Sequence, residues 1–381
     1  MTGDVVLTCP VTEPYVKHSA HGATWFLGRV LARLLGASGL AKADIDGICA
    51  SSFTLAPDGP APLLQNLGLS PRLLDWIPTG GACGIMAARR AVRAVQHGDA
   101  EIVACLAGDT AHVDGFRDLL AGFSVFARDC VVPYGFGGPN ASFALLTDRY
   151  MRNFGATRED FGRLAVAQRA NAVGNPLALL RSPITMDDYL GSRPIAPPIH
   201  LLDCVLPCAG GDGFLVMAKS RARSLGLRFV HVLSSIERHN AFAQDPVQQR
   251  GGWAQDREAL WSGARLQPGD MDLIQTYDDY PVISMMQFED LGFCGKGEAA
   301  RFLRGHDLTA TGSLPHNTGG GQLSCGQAGA AGGYLGIVEA MRQLTGVAQT
   351  QVANARHALV SGFGMINYDR GLCTAAAVLA G

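Results

Sequence analysis

An α/β fold assembled from two similar halves is what this sequence predicts, and three observations predict it. Short apolar runs of strand length alternate with segments of helical period along most of the chain. The order strand, Gly-rich turn, small-residue helix, strand ending in glycine occurs in the N-terminal third and again in the C-terminal third. At 381 residues the chain also exceeds what one hydrophobic core usually serves, which suggests two domains or one fold built twice.

In the first half, residues 4–8 form a short apolar strand. A helical pattern over 24–35 is expected to end near Gly36, and 43–51 reads as a buried strand. Residues 84–96 are a strong helix of small and apolar side chains with arginines on one side, stopped by His97-Gly98. The apolar run 101–108 follows, and the β-α-β order favours parallel pairing. In the second half, 272–275 is a strand, and 326–344 holds a Gly-rich turn and a helix closed by Gly346. The strand 357–361 then leads into Gly362-Phe363-Gly364.

Between these halves, residues 149–202 have a different character, with Asn175-Pro176 and an exit through Pro194, Pro197 and Pro198. Their apolar content stays high, so they read as an excursion rather than a flexible linker. An apolar strand at 214–218 and a short basic segment place a boundary near 218–226. The expected halves are thus 1–222, carrying an inserted loop region at about 115–205, and 223–381.

Composition narrows the function classes. With 31 basic and 33 acidic residues the formal net charge is −2, and charged residues make up only 17% of the chain against 48% hydrophobic. That balance excludes intrinsic disorder and argues against a nucleic-acid binder. The ten cysteines form no framework: Cys204 and Cys208 are spaced C-x3-C, with no second pair or nearby histidine to complete a zinc set. No metal site is expected. The N-terminus lacks the basic and apolar regions of a signal peptide, and no run approaches 18 apolar residues. A cytoplasmic protein without a membrane partner is the expectation.

Three places could carry chemistry. Thr79 to Gly84 is a Gly-rich strand-to-helix turn, which aims backbone N–H groups at the positive end of a helix and suits a carbonyl oxygen acquiring charge. Cys83 at that position would have a lowered pKa and good access, unless it is simply a buried small hydrophobe. Residues 317–329 (NTGGGQLSCGQAG) concentrate glycines that need unusual φ or close backbone approach. Their spacing fits neither a P-loop nor a dinucleotide fingerprint. Tyr277-Asp278-Asp279-Tyr280 follows a strand, at the end where α/β folds place ligand crevices, although a solvated loop with a packing tyrosine would read the same way. His239, His316 and His357 are isolated, and only His316 adjoins the glycine-rich loop.

Taken together, these places resemble the thiolase superfamily, specifically the thiolase-like branch of the sterol-carrier-protein-x and lipid-transfer proteins. The resemblance is carried by YDDY and QFEDLGFCGKGEAARFL within 277–303, NTGGGQLSCGQAG at 317–329, EAMRQLTG at 339–346 with QV at 351–352, and the stretch from NP at 175 to LLDC at 204. It implies a duplicated βαβαβαββ domain in five layers, α/β/α/β/α, normally a homodimer. It also implies a CoA-thioester substrate reaching the junction between the halves. Coenzyme A would enter as part of the substrate, and no permanently bound cofactor is expected.

The departures from that family matter as much. The acyl-accepting cysteine of a thiolase falls on Gly81, the histidine of its GHP motif on Gln327, and its second catalytic cysteine on Val360. A glycine cannot form an acyl-enzyme, and an amide is no general base near neutral pH. The resemblance is then closest to the steroid side-chain aldolases, which carry glycines at the first position. They work with a small OB-fold, zinc-ribbon partner. In that branch Tyr277 matches a tyrosine proposed as acid/base, and the second tyrosine falls on Gln327. Asp278, beside Tyr277, is a candidate orienting partner.

The expected activity is retro-aldol cleavage of a bulky β-hydroxyacyl-CoA without a covalent intermediate. Tyr277, Asp278 and Gln327 would be its catalytic group. Backbone at Gly81, Ala82, Gly84, Gly362 and Gly364, with Asn317 and Gly320 nearby, would hold the thioester. Two alternatives stand beside it. Cys83 could serve as nucleophile of a thiolase or acyltransferase, although two residues along a helix turn a side chain by about 200°. The chain could also be a non-catalytic acyl-CoA-binding subunit.

Overall fold

The computed structural model describes residues 4–112, 115, 124–135 and 137–381. The expected insertion at 115–205 therefore lies partly outside the described residues.

Among the described residues, eleven strands and the helices between them organise the fold, and nine strands form one sheet in the order β3-β2-β4-β7-β1-β8-β11-β10-β9. These are β1 (Val5–Val16), β2 (Gly47–Ser51), β3 (Leu73–Trp76), β4 (Ile102–Asp109), β7 (Ala209–Ala218), β8 (Phe229–His239), β9 (Leu273–Gln275), β10 (His357–Asn367) and β11 (Arg370–Ala380). The remaining two, β5 (Pro194–Ala196) and β6 (Ile199–His200), make a small separate hairpin. Read outward from the middle, β1, β7, β4, β2 in one direction match β8, β11, β10, β9 in the other. The repeated sequence order is thus a repeated topology.

Pairing is more antiparallel than the β-α-β order suggests. Only β2 with β3, β2 with β4, and β9 with β10 run parallel. Strands β1, β7, β8 and β11 pair antiparallel with their neighbours, because each half closes on itself through its last strand. The halves meet through β1 and β8 in the register Val6↔His231, Leu7↔Val230, Thr8↔Phe229.

Helices fill the remaining layers. On the outer face of the first half lie α1 (Ala23–Ser38) and α2 (Pro60–Leu67). The middle layer holds α3 (Cys83–His97) and, from the second half, α9 (Gly332–Thr345). Helices α4 (Gly138–Phe154) and α5 (Arg158–Ala172) belong to the excursion; α6 (Trp253–Ala264) and α7 (Pro281–Asp290) cover the outer face of the second half, and the short α8 (Gly321–Cys325) precedes α9. Three cores follow. One surrounds α3 and α9, one lies under α1, and one lies under α6 and α7 with α4 and α5.

Local chemistry explains the boundaries. Helix α1 runs past Gly36, which is exposed and meets no obstacle, and ends where Gly39 adopts φ 71°. Residues 43–46 are not strand, since a short 3-10 turn occupies Lys42–Asp44 before β2. Gly98 (φ 79°) and Gly346 (φ 70°) cap α3 and α9 as the sequence predicts. The two central helices approach closely: a Cβ on Gly333 would lie 2.6 Å from the Gly80 carbonyl oxygen and 2.9 Å from Cys83 Sγ. Asp109, at the end of β4, accepts hydrogen bonds from Ser52 and Thr54 on one oxygen and from the Ala330 N–H (2.7 Å) on the other. It thereby ties the start of α9 to the first half. No helix among the described residues is long and apolar enough to cross a membrane.

Candidate functional site

A cleft of about 610 Å³ opens where the start of α9, the end of β9 and the 317–322 loop converge. Its wall includes Gly81, Tyr277, Gly332, Gly333, Val360 and Ser361, and its far end includes Thr12, Tyr15, Asn175, Glu339 and Arg342. Both halves of the chain contribute to it.

Tyr277 is the best-fixed polar group in this wall. Gln287 of α7 clamps its backbone from both sides, accepting from the Tyr277 N–H (3.1 Å) and donating to its carbonyl (2.7 Å). Ser361 Oγ donates to the same Gln287 oxygen at 2.6 Å, so the clamp is itself held by β10. The Tyr277 hydroxyl accepts a hydrogen bond from Gln327 Nε2 at 3.1 Å and lies within the influence of the Asp279 carboxylate. Gln327 Nε2 also donates to Asp279 Oδ1. Burial, reinforced by the Asp279 charge, holds the Tyr277 phenol well above its ordinary range. Burial likewise pushes Asp279 up to about 7.

The partner beside Tyr277 is therefore Asp279, one residue beyond the expected Asp278. Asp278 turns the other way, accepting from the N–H groups of Gln322 (3.0 Å) and Leu323 (3.3 Å) at the start of α8. It is buried and pushed up to about 6, first by desolvation. Its work is to hold the glycine-rich loop.

Gly81 explains itself sterically. A Cβ there would overlap the Tyr277 ring and the Phe363 carbonyl oxygen. Cys83 has neither the access nor the lowered pKa expected of it. It is fully buried, its thiol donates to the Ala330 carbonyl at 3.2 Å, and desolvation pushes it up to about 12. Ala82 is buried, and its N–H is spent on the Thr79 carbonyl (3.2 Å) inside the turn. Gly84 lies against α9, where a Cβ would overlap the Gly333 carbonyl oxygen. Gly362 and Gly364 let β10 lie against the 79–82 turn: a Cβ on Gly362 would come within 2.6 Å of the Gly81 carbonyl oxygen, and one on Gly364 would overlap that of Thr79. These glycines serve close approach, and of the turn only Gly81 reaches the cleft wall.

In the second loop, Asn317 (φ 43°) exchanges hydrogen bonds with the Thr276 backbone, 2.9 Å to its N–H and 3.1 Å from its carbonyl. Gly320 (φ 107°) packs on Ala172 of α5. Asn317 lines the cleft, whereas Gly320 does not. His316 is fully buried, bonded to Thr276 Oγ1 at 2.8 Å and held down at about 3, so it stays neutral and structural. His239 pairs with Glu237 on β8, and His357 opens β10 with its N–H on Asp272. Gln287, Gly332, Gly333 and Ser361 escaped sequence reading. Arg342 and Glu339 were legible in principle, since i and i+3 share a helix face.

Comparison with known proteins agrees with this geometry. The family described as "Thiolase C-terminal domain-like" matches residues 235–373. A steroid side-chain-cleaving aldolase of Thermomonospora curvata is 32% identical over 87% of this chain and 88% of its own length. A 17-hydroxy-3-oxo-4-pregnene-20-carboxyl-CoA lyase of Mycobacterium tuberculosis is 30% identical over 95% of this chain and 96% of its own. The chain belongs to the thiolase superfamily, in its thiolase-like lipid-transfer branch. Among solved structures, the "Ltp2-ChsH2(DUF35) aldolase" superposes with a TM-score of 0.84 at 26% identity, covering 99% of this chain and 98% of that one.

Within this thiolase-like fold, the three positions that the resemblance matches to a thiolase's reactive groups lie around one cleft. Gly81 underlies Tyr277, Gln327 bonds to the Tyr277 hydroxyl, and Val360 lines the same cleft.

Proposed function

We propose that this chain is a carbon–carbon lyase that cleaves a β-hydroxyacyl-CoA by a retro-aldol reaction, with no acyl-enzyme. The observation that carries this reading is the Tyr277 ring standing over Gly81, which puts a proton-handling phenol where a nucleophilic side chain would otherwise stand. The names of the Thermomonospora and Mycobacterium relatives, an aldolase and a CoA lyase, support the same class.

The chemistry needs a group to take the 3-hydroxyl proton and donors for the enolate that forms on the thioester oxygen. Tyr277 supplies the first. The N-terminal end of α9, where Gly332 and Gly333 line the cleft, supplies a positive dipole for the second. Leu177, Leu335 and Val360 give the cleft apolar wall for an acyl group. Coenzyme A belongs to the substrate, and no resident cofactor is needed.

Sealed burial of Cys83 disfavours the acyltransferase reading. A built and clamped Tyr277 favours an active subunit over a passive scaffold. The DUF35 component in the name of the aldolase neighbour motivates a small OB-fold, zinc-ribbon partner for this chain. The family resemblance adds the expectation of a homodimer in the cytoplasm.

The decisive test incubates the purified chain, with and without such a partner, with β-hydroxyacyl-CoA substrates of increasing bulk. Mass spectrometry should find a shorter acyl-CoA and a carbonyl product in equal amounts, with the intact protein mass unchanged. A mass increment equal to an acyl group would overturn the reading.

A further inference from the structure

The retro-aldol reading leaves a difficulty at Tyr277. A neutral phenol donates a proton readily enough, but to accept one from a substrate hydroxyl it must first lose its own. Desolvation and the neighbouring carboxylate both oppose a free phenolate here.

We propose that Asp279 is the proton store of this site, taking the Tyr277 proton while the substrate hydroxyl gives its own to Tyr277, with Gln327 fixing the two in register. The geometry is a three-membered set. The Gln327 amide nitrogen donates to Asp279 Oδ1 and, at 3.1 Å, to Tyr277 Oη, so one nitrogen holds the carboxylate and the phenol oxygen side by side. Because Gln327 donates to Tyr277 Oη and to Asp279 Oδ1 at once, the phenol hydrogen can turn toward the carboxylate. Tyr277 lines the cleft, whereas Asp279 and Gln327 stand behind it. Asp279 therefore acts through Tyr277 and is a positioning residue that also holds the proton.

The inference rests on the retro-aldol reading, and its balance is complete. The 3-hydroxyl O–H bond breaks, its hydrogen goes to Tyr277 Oη, and the Tyr277 hydrogen goes to Asp279. The C2–C3 bond breaks as the C3–O bond becomes a carbonyl, and its electron pair passes to the thioester enolate. The proton stored on Asp279 then returns through Tyr277 to C2, so nothing is oxidised and no co-reactant is consumed. An acceptor near 7 suits this two-way task at neutral pH. The titratable groups facing Asp279 are the Tyr277 phenol and the Asp278 carboxyl, with the Tyr280 phenol beside them.

The test compares wild type with Asp279→Asn and Asp279→Ala under the same β-hydroxyacyl-CoA. Asp279→Asn should lower kcat by about 100-fold or more with KM little changed, and should erase the acidic limb of the pH–rate profile near 7. Formate should restore part of the lost rate to Asp279→Ala, which a structural role would not allow. A wild type that cleaves, with Asp279→Asn within about threefold of it and the acidic limb intact, overturns this inference alone. An Asp279→Ala variant that is folded but insensitive to formate also counts against it. A wild type that cleaves no such thioester overturns the retro-aldol reading and this inference together.

Discussion

The aromatic ring of Tyr277 occupies the space that a side chain on Gly81 would need. One position is emptied and the other filled, so a side chain at Gly81 would require the Tyr277 ring to move. Restoring the thiolase nucleophile with Gly81→Cys should therefore yield no thiolase. The variant is expected to lose about 1–3 kcal/mol of stability from overpacking, as Gly81→Ala would. It should show no acyl adduct by intact mass, and thermal unfolding of both variants checks the cost.

Tyr277→Phe removes only the hydroxyl and keeps the ring over Gly81. Turnover is expected to fall by about 10²–10⁴-fold, with CoA-thioester affinity and melting temperature close to wild type. A variant that still turned over normally would take Tyr277 out of the mechanism.

Cys83→Ser should keep activity within about threefold, because the thiol is sealed against Ala330 and does not line the cleft. Iodoacetamide on the native protein should label exposed Cys130 and spare Cys83. Peptide mapping of the alkylated protein distinguishes the two sites.

His316 gives a pH signature. Its folded value of about 3 lies below the ordinary imidazole range, so between those limits the unfolded chain binds the extra proton and stability falls as pH falls. The raised carboxyls Asp278, Asp279 and Asp290 tilt the other way, being favoured when protonated. A difference measurement isolates the histidine. The stability gap between wild type and His316→Gln should grow by about 1.4 kcal/mol per pH unit from about pH 4 to 6, followed by urea unfolding.

Gly36 and Gly39 should respond oppositely to alanine. Gly36 is inside α1, exposed and unobstructed, so Gly36→Ala should stabilise by about 0.5–1 kcal/mol. Gly39 caps the helix at φ 71°, where Gly39→Ala should cost about 1 kcal/mol. Calorimetric melting of the two variants gives the signs.

The sequence made the doubled strand–turn–helix order legible, because glycine-rich turns and small-residue helices mark it at both ends of the chain. Strand β11 was not, since CTAAAV is rich in the best helix former and only pairing with β8 and β10 makes it a strand. At the site, Tyr277 and Gln327 were legible as loop residues near glycines, but their meeting spans fifty positions of chain. Asp279 was masked by its neighbour: two adjacent aspartates look alike until the backbone decides which faces the phenol. Cys83 misled for a related reason. A helix start lowers a thiol's pKa only if water and charge can reach it, and here the opposite helix closes over it.

The short β1–β8 seam, three residue pairs long, has a consequence for dividing this protein. Each half supplies one inner helix, and each inner helix is the other's covering. Neither half made separately would have a dry interior, so a split gene would have to express both pieces together and let them find each other before either could persist.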